Sequence, residues 1–183
     1  MIGHANMAAI RSRDTRPELI VRRWLWHRGF RYRLNSPRLP GHPDLVLRKY
    51  RTCIFVNGCF WHGHHAEIIP VQSSVNTDGE APLPLLTNSD CFRLPKTNRD
   101  FWTRKILRNK ERDIREQQQL AEMGWHCITI WECELKPQKR ERTLTSLEYT
   151  LNHIFLQDHS MPYPRMTEEE NMDMAAESRP VRP

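Results

Sequence analysis

The sequence contains no apolar run approaching the roughly 18–20 residues that span a bilayer. Its opening residues, Met1-Ile2-Gly3-His4-Ala5-Asn6-Met7, lack the apolar core of a signal peptide. A membrane-embedded or exported protein is therefore not expected, and a cytoplasmic setting is. Glycine is scarce, with seven in 183 residues, which excludes a collagen-like chain, and no internal repeat is evident. Five cysteines leave at least one without an intramolecular partner, so a disulfide framework is not expected either. In a reducing compartment they should serve as thiols, core fillers or metal ligands.

What is present is a basic chain rich in tryptophan. Twenty-eight Lys+Arg face 22 Asp+Glu, a formal charge of +6, and there are six tryptophans. Cations beside aromatic faces suit nucleic acid better than an acidic protein partner. The charge is unevenly spread. The stretch Arg93–Arg115 holds nine Lys/Arg against Asp100, Glu111 and Asp113, whereas Arg165–Pro183 holds three Arg against five acids. Removing that acidic tail leaves residues 1–164 at +8. A charge run of this kind can also be nothing more than a solvated helix face.

Thr15-Arg16-Pro17-Glu18 has the capping-box spacing, and Leu19, Ile20, Trp24 and Leu25 recur at helical intervals. They predict a helix over 16–27, closed by Gly29. Phe30–Leu34 alternates like a half-buried strand, Asp44-Leu45-Val46-Leu47 opens the next, and Thr52–Val56 reads as a buried one. Residues 67–90 are rich in Ser, Pro, Asn and Thr without a period and predict a long surface loop. A second helix is expected over 100–122, with Phe101, Ile106, Ile114 and Leu120 inward. A strand over 125–131 and a helix over 144–155 follow. The order α-β-β-β-α-β-α predicts a mixed sheet with helices packed against it.

Three constellations carry chemistry. Pro43-Asp44 stands at a loop-to-strand junction, about a dozen residues before a strand that ends at Val56, where a carboxylate can hold a hard divalent cation. Gly-His-Pro-Asp is equally an ordinary turn. Gly58-Cys59-Phe60-Trp61-His62-Gly63-His64-His65 puts Cys59 and His64 at zinc-ligand spacing, with Cys91 and Cys133 the available further thiols. The spacing alone leaves open a histidine-rich loop with scattered buried cysteines; Cys53 and Cys127, in mid-strand, suit the core better. Finally, His62 is placed to take a proton from water if a carboxylate such as Asp113 orients it.

Taken in order, these strings resemble a known family. Pro40-Gly41-His42-Pro43-Asp44-Leu45, Gly58 through His64, Pro95-Lys96-Thr97-Asn98 with Phe101-Trp102, Asn109 with Arg112-Asp113, and Gly124-Trp125 through Cys133 are similar to the very short patch repair DNA mismatch endonucleases. Met7-Ala8-Ala9-Ile10, Ser12-Arg13-Asp14-Thr15 and Pro17-Glu18 match that family's N-terminal segment. The resemblance covers roughly residues 5–135 apart from the 67–90 segment. It implies an α/β restriction-endonuclease-like fold, with a mixed sheet flanked by helices and a structural zinc site. It also implies a bacterial, nucleoid-directed enzyme that binds double-stranded DNA carrying a T:G mismatch, left by deamination of 5-methylcytosine, and nicks 5′ of the mismatched thymine.

Carried over residue by residue, the resemblance makes Asp44 and the Val56 backbone carbonyl ligands of catalytic Mg2+. His62 becomes the general base, Asp113 its partner, and Glu18 an acid supporting the metal and water site. Position 57 is Asn, so the divalent site must use backbone instead of a second strand-end acid. Structural Zn2+ would be held by Cys59, His64, Cys133 and a fourth cysteine, which the family places shortly after His-Gly-His, where this chain has Ala66. Cys91 would take that role, with 67–90 an insertion between ligands, because loop closure costs grow slowly with length. Phe60, Trp61 and Trp102 would wedge beside the mismatch, while Lys105, Arg108 and Arg112 would contact phosphates.

The domain implied is 1–156, followed by a tail over 157–183 expected to be disordered. The protein is expected to be a monomer, with mismatch-repair proteins as candidate partners. Two alternatives remain open at this level: a nuclease of the same fold with a restriction or mobile-element target, and a non-catalytic zinc-dependent DNA-binding module.

Overall fold

Thr15 caps the first helix in the manner its spacing predicts. Its hydroxyl donates to Glu18 Oε1 at 2.9 Å and accepts from the Glu18 N–H at 3.5 Å, opening α1 (Arg16–His27). The helix closes on Gly29, whose φ of +85° lets the Phe30 N–H reach back to the Leu25 carbonyl at 2.9 Å. The computed structural model describes residues 13–71 and 82–160. The N-terminal match before Arg13 and the tail beyond Ser160 lie outside these residues.

Phe30 is drawn into this cap and into the core, and the expected strand over 30–34 shrinks to β1 (Arg33–Leu34). Both its residues are exposed, pairing antiparallel with Val46 and Leu45 of β2 (Leu45–Leu47). A single 3-10 turn at Arg48–Tyr50 leads into β3 (Thr52–Asn57), antiparallel to β2. Arg51 adopts φ +43° at this corner, while its guanidinium bonds the Gly124 and Met123 carbonyls at 3.0 and 3.2 Å. The turn before β3 and the turn before β6 are thereby tied together. β6 (His126–Trp131) runs parallel to β3, pairing Val56 with Ile130 and Asn57 with Trp131.

The four-stranded sheet, in order β1-β2-β3-β6, is covered on both faces. On one face Leu45, Leu47, Ile54 and Ile130 meet Val21 and Leu25 of α1 and Leu144, Leu147 and Leu151 of α3 (Pro137–His159). The alternate side chains Val46 and Cys53 pack on the other face against Leu120 of α2 (Arg99–Glu122). The fold is thus mixed α/β with a mixed sheet flanked by three helices, as the element order implied. Among the described residues no helix is long and apolar enough to cross a membrane. All five cysteines are free.

The structure corrects four details. In α2, Ile106 and Leu120 are buried as expected, but Phe101 and Ile114 are 50% and 59% exposed. At 100° per residue they stand about 140° and 80° around the helix from Ile106, outside the face that meets the core. Helix α3 begins at Pro137, seven residues earlier than its apolar period, because its first two turns are charged and carry no period to read. It also continues to His159, so the first three residues of the expected tail are helical.

The 67–90 segment is not wholly irregular. Its ends pair as a ribbon of β4 (Ile68–Ile69) and β5 (Leu85–Leu86), locked by the Glu67 N–H on Thr87 Oγ1 at 2.9 Å. Strands of two residues leave no alternation in a sequence.

Leu151 is fully buried between helix and sheet. Leu151→Ala is expected to cost about 2–5 kcal/mol of stability, measured as a lower midpoint in denaturant titration with an unchanged slope.

Candidate active site and metal centre

The loop that leaves β3 carries most of the site. From Gly58 to Ala66 it coils through successive short turns, with the His64 N–H on the Cys59 carbonyl at 3.0 Å and the Ala66 N–H on the Gly63 carbonyl at 3.1 Å. One stripe of α2 receives it. Asn109 Nδ2 donates to the Trp61 carbonyl at 2.8 Å, Lys110 Nζ donates to the Ala66 carbonyl at 3.1 Å, and Asp113 bonds His62. Gly63 makes this contact possible: a Cβ there would stand 2.7 Å from Ile106 Cγ2, and its φ is +56°.

Beside this loop lies a cavity of about 940 Å³ lined by Glu18, Asp44, Val56, Asn57, Trp61, His62, Asp113 and Glu116, among others. Asp44, one residue before β2, accepts the Val56 N–H at 2.7 Å. Burial pushes its carboxyl up to about 6, and nearby Glu18 adds to that rise. The Val56 N–H, Arg22 and His62 oppose it. Glu18 is buried, its carboxylate accepting from Arg22 at 2.8 Å, from the Asp14 N–H at 3.1 Å and from Thr15. His62 Nδ1 meets Asp113 Oδ2, while the other oxygen of Asp113 accepts from Arg112 at 3.4 Å. The arrangement puts an oriented imidazole and a desolvated carboxylate on one cavity.

The sulfur-rich cluster lies on the same loop. The ligand atoms of Cys59, His64, Cys91 and Cys133 all fall within 4.8 Å of one another. His64 Nδ1 is 3.2 Å from the Cys91 sulfur, 3.4 Å from that of Cys133 and 3.7 Å from that of Cys59. A tetrahedral zinc with ordinary bond lengths has N···S edges of about 3.5 Å. Three thiols and one imidazole form a soft donor set, so the cluster could hold a zinc. Burial pushes the Cys59 thiol up to about 12 and raises Cys133, which disfavours thiolates unless a cation accompanies them. Burial also lowers the His64 pKa, keeping the imidazole neutral as a ligand must be. Its ring stacks on Trp131 at 3.9 Å and 11°.

A knot of rings adjoins both. Phe60 sits 5.1 Å from Trp61 and 5.2 Å from Trp102, Trp61 lies 6.0 Å from Trp102, and Phe101 stands half exposed against Trp102. Lys105 Nζ is 5.6 Å from the Trp61 ring and 5.9 Å from those of Phe101 and Trp102. Basic side chain and rings share one surface.

Comparison with known proteins now places the chain. Residues 3–68 match the family described as DNA mismatch endonuclease Vsr. The type II nicking enzyme V.NmeAIP of Neisseria meningitidis serogroup A is 42% identical over 130 residues, covering 71% of this chain and 76% of that protein. The chain belongs to the Vsr DNA mismatch endonuclease family. Its relatives include the DNA mismatch endonuclease Vsr of Escherichia coli, 36% identical over 135 residues with 74% of this chain and 72% of that protein covered. The type II nicking enzyme V.XorIIP of Xanthomonas oryzae pv. oryzae is 39% identical over 148 residues, covering 81% and 88%. These relatives are DNA endonucleases, and the family is restriction-endonuclease-like, in keeping with the sheet and helices described above. The family-model match stops at residue 68, within β4.

Of the residues singled out in the sequence, the structure brings Glu18, Asp44, Val56, His62 and Asp113 to one cavity and the four Cys/His donors to one cluster. Arg112, expected to contact phosphate, pairs with Asp113 at 3.4 Å and lies 3.8 Å from Glu116. It is 46% exposed by side chain and stands beside the His62–Asp113 pair. Arg108 lies exposed on α2, its Nε on the Arg104 carbonyl. Sequence reasoning missed Asn109 and Lys110 as anchors of the loop and Trp131 as the platform under His64. For the first two, spacings of three, four and seven residues from Ile106 to Asn109, Lys110 and Asp113 were the available signal.

Two outcomes are expected. Cys91→Ala should lower bound zinc in elemental analysis of the purified protein; unchanged zinc excludes Cys91 from the cluster. Asp44→Asn should stabilise the metal-free protein at pH 8. The folded carboxyl titrates near 6, above its ordinary 3.8. Its ionised form therefore destabilises the fold, by about 1–2 kcal/mol after allowing for partial solvation. Asparagine removes that penalty. The gain should be full above about pH 6 and vanish below about pH 4 in melts with EDTA.

Proposed function

We propose that this protein is a magnesium-dependent, zinc-stabilised endonuclease that nicks one strand of double-stranded DNA 5′ of the thymine in a T:G mismatch, initiating very short patch repair. The observation that carries the reading is the shared cavity: Asp44 and Glu18 on one side, the His62–Asp113 pair on the other, and Trp61 of the ring cluster in the lining. The donor set suits a hard divalent cation, since a half-buried carboxylate with a raised pKa, next to a second acid, gains from a positive charge. Asp44 would hold Mg2+ with the Val56 backbone carbonyl, and Glu18 would support that site while anchored by Arg22. Bound there, Mg2+ polarises a phosphate oxygen and lowers the pKa of water.

The chain's own residues account for the rest. Asp113 accepts from His62 Nδ1–H, which leaves Nε2 with its lone pair free to take a proton from the attacking water. The proton moves to Nε2, the resulting imidazolium is stabilised by Asp113, and the hydroxide oxygen attacks phosphorus as the 3′ oxygen leaves. Cys59, His64, Cys91 and Cys133 hold zinc and thereby fix the loop bearing His62. Phe60, Trp61 and Trp102 separate bases at the mismatch, where unstacking costs least. Lys105 and Arg108 attract phosphate, with affinity that falls as salt rises; Arg112 joins them by exchanging its acidic partners for phosphate.

Asp44→Ala is expected to abolish nicking while leaving duplex affinity within about twofold, read by gel mobility and a nicking assay with Mg2+. Retained nicking in a pure preparation overturns the ligand role. Nicking of T:G, matched and other mismatched duplexes under one condition tests the target. A preference for some other duplex favours a same-fold nuclease with a different target, and duplex binding without any Mg2+-dependent nick favours a non-catalytic zinc-dependent binding module.

A further inference from the structure

Phe92 follows Cys91, just where the chain returns from the 67–90 segment. Its ring is fully buried and lies against Phe60, centroids 6.1 Å apart and planes inclined by 27°. Phe60, Trp61 and Trp102 are each only partly buried, so Phe92 is the inner ring behind Phe60, and Trp102 packs on the same buried cluster. Leu86 of the ribbon and Leu94 fill the same cluster with Ile106 and Ala66.

The turn that carries Phe92 is tied to the metal-binding loop by one hydroxyl. Ser89 Oγ accepts the Phe92 N–H at 3.1 Å and donates to the His64 carbonyl at 2.9 Å. The Ser89 N–H closes the turn on the Phe92 carbonyl at 2.8 Å, and the Leu94 N–H is held by Asn88 Oδ1 at 2.9 Å. The return leg of the insertion is therefore bonded to the backbone of the loop that presents Phe60 and Trp61, and it places a flat ring behind them.

A wedge that parts stacked bases must resist a few kcal/mol per step. Rings that yield to that load swing aside and leave the bases stacked, so rigidity behind the wedge converts binding into base separation. We propose that Phe92, held by Ser89, is a positioning residue for mismatch recognition, and that the turn over 89–92, on which the 67–90 segment returns, supplies the backing of the wedge. This rests on the wedge reading of Phe60, Trp61 and Trp102, and Phe92 itself touches no base.

The test uses the full chain and a duplex with 2-aminopurine beside the T:G pair, whose fluorescence rises when it unstacks. The variants are Phe92→Leu, which keeps apolar volume but loses the flat face, and Ser89→Ala, which removes the hydroxyl's bonds to the His64 carbonyl and the Phe92 N–H together with its 3.8 Å contact to the Cys91 sulfur. Expected for both are wild-type zinc content, a cooperative melt and unchanged affinity for matched duplex. The unstacking signal at saturation should fall, and the preference for T:G over matched duplex should drop by about tenfold, or about 1.4 kcal/mol. Should Phe92→Leu lose zinc or fold, Ser89→Ala alone decides. A wild-type signal preserved in the folded variants overturns the inference and leaves the wedge reading standing. Wild-type protein that never raises the fluorescence overturns both.

Discussion

The structure turns on the docking of the 58–66 loop against one stripe of helix α2. Ile106, Asn109, Lys110 and Asp113 recur at helical spacing, and each meets a different part of that loop: Gly63, the Trp61 carbonyl, the Ala66 carbonyl and His62. The loop bears a catalytic candidate, two metal-cluster residues and two of the wedge rings, so their relative positions all depend on this one contact. Its closeness requires glycine at position 63, where any side chain would drive the loop off Ile106. Lys110 illustrates what the contact demands. It is a lysine in a basic helix, yet it is spent on a backbone carbonyl, and burial lowers its pKa.

Opposing electrostatic demands meet in the cavity. Asp44 and Glu18 are kept close and poorly solvated, which strains the unliganded protein and suits a cation. The cost is limited by neutral and positive groups set around them: the Val56 N–H, Arg22 and His62. The Cys/His cluster follows the same logic with softer donors, since buried thiols and a neutral imidazole await a charge to organise them. In both places burial disfavours the empty site's ionised form, and a metal of matching softness removes that penalty.

Much of the fold was legible because its signals are local. The capping box at Thr15–Glu18, the strand at Leu45 to Leu47 and the apolar stripe Leu144, Leu147, Leu151 and Ile154 all reappear in the structure. What escaped reading has equally local reasons. The ribbon of Ile68–Ile69 and Leu85–Leu86 is too short for a period, and the charged opening of α3 has no apolar period at all. In α2 the apolar residues Phe101 and Ile114 looked inward by type, but their angular positions turn them to solvent.

The candidate site divides along the same line. Residue types and their order set the available chemistry: a carboxylate at a strand end, a histidine between soft donors, aromatic pairs beside a basic helix. Only the tertiary structure decided which of these meet. Cys91 reaches Cys59 and His64 because β4 and β5 pair the two ends of the 67–90 segment, returning the chain to its starting point. Arg112 turns to Asp113 and Glu116 because those acids are its neighbours on the folded helix. Phe92 lies behind Phe60 because the turn at Ser89 bonds to the His64 carbonyl. The Arg112 pairs are one and four residues apart, whereas the Cys91, Ser89 and Phe92 contacts join residues 25 to 32 positions apart. A linear pattern can supply the partners, but burial and chain closure in three dimensions select the pairing.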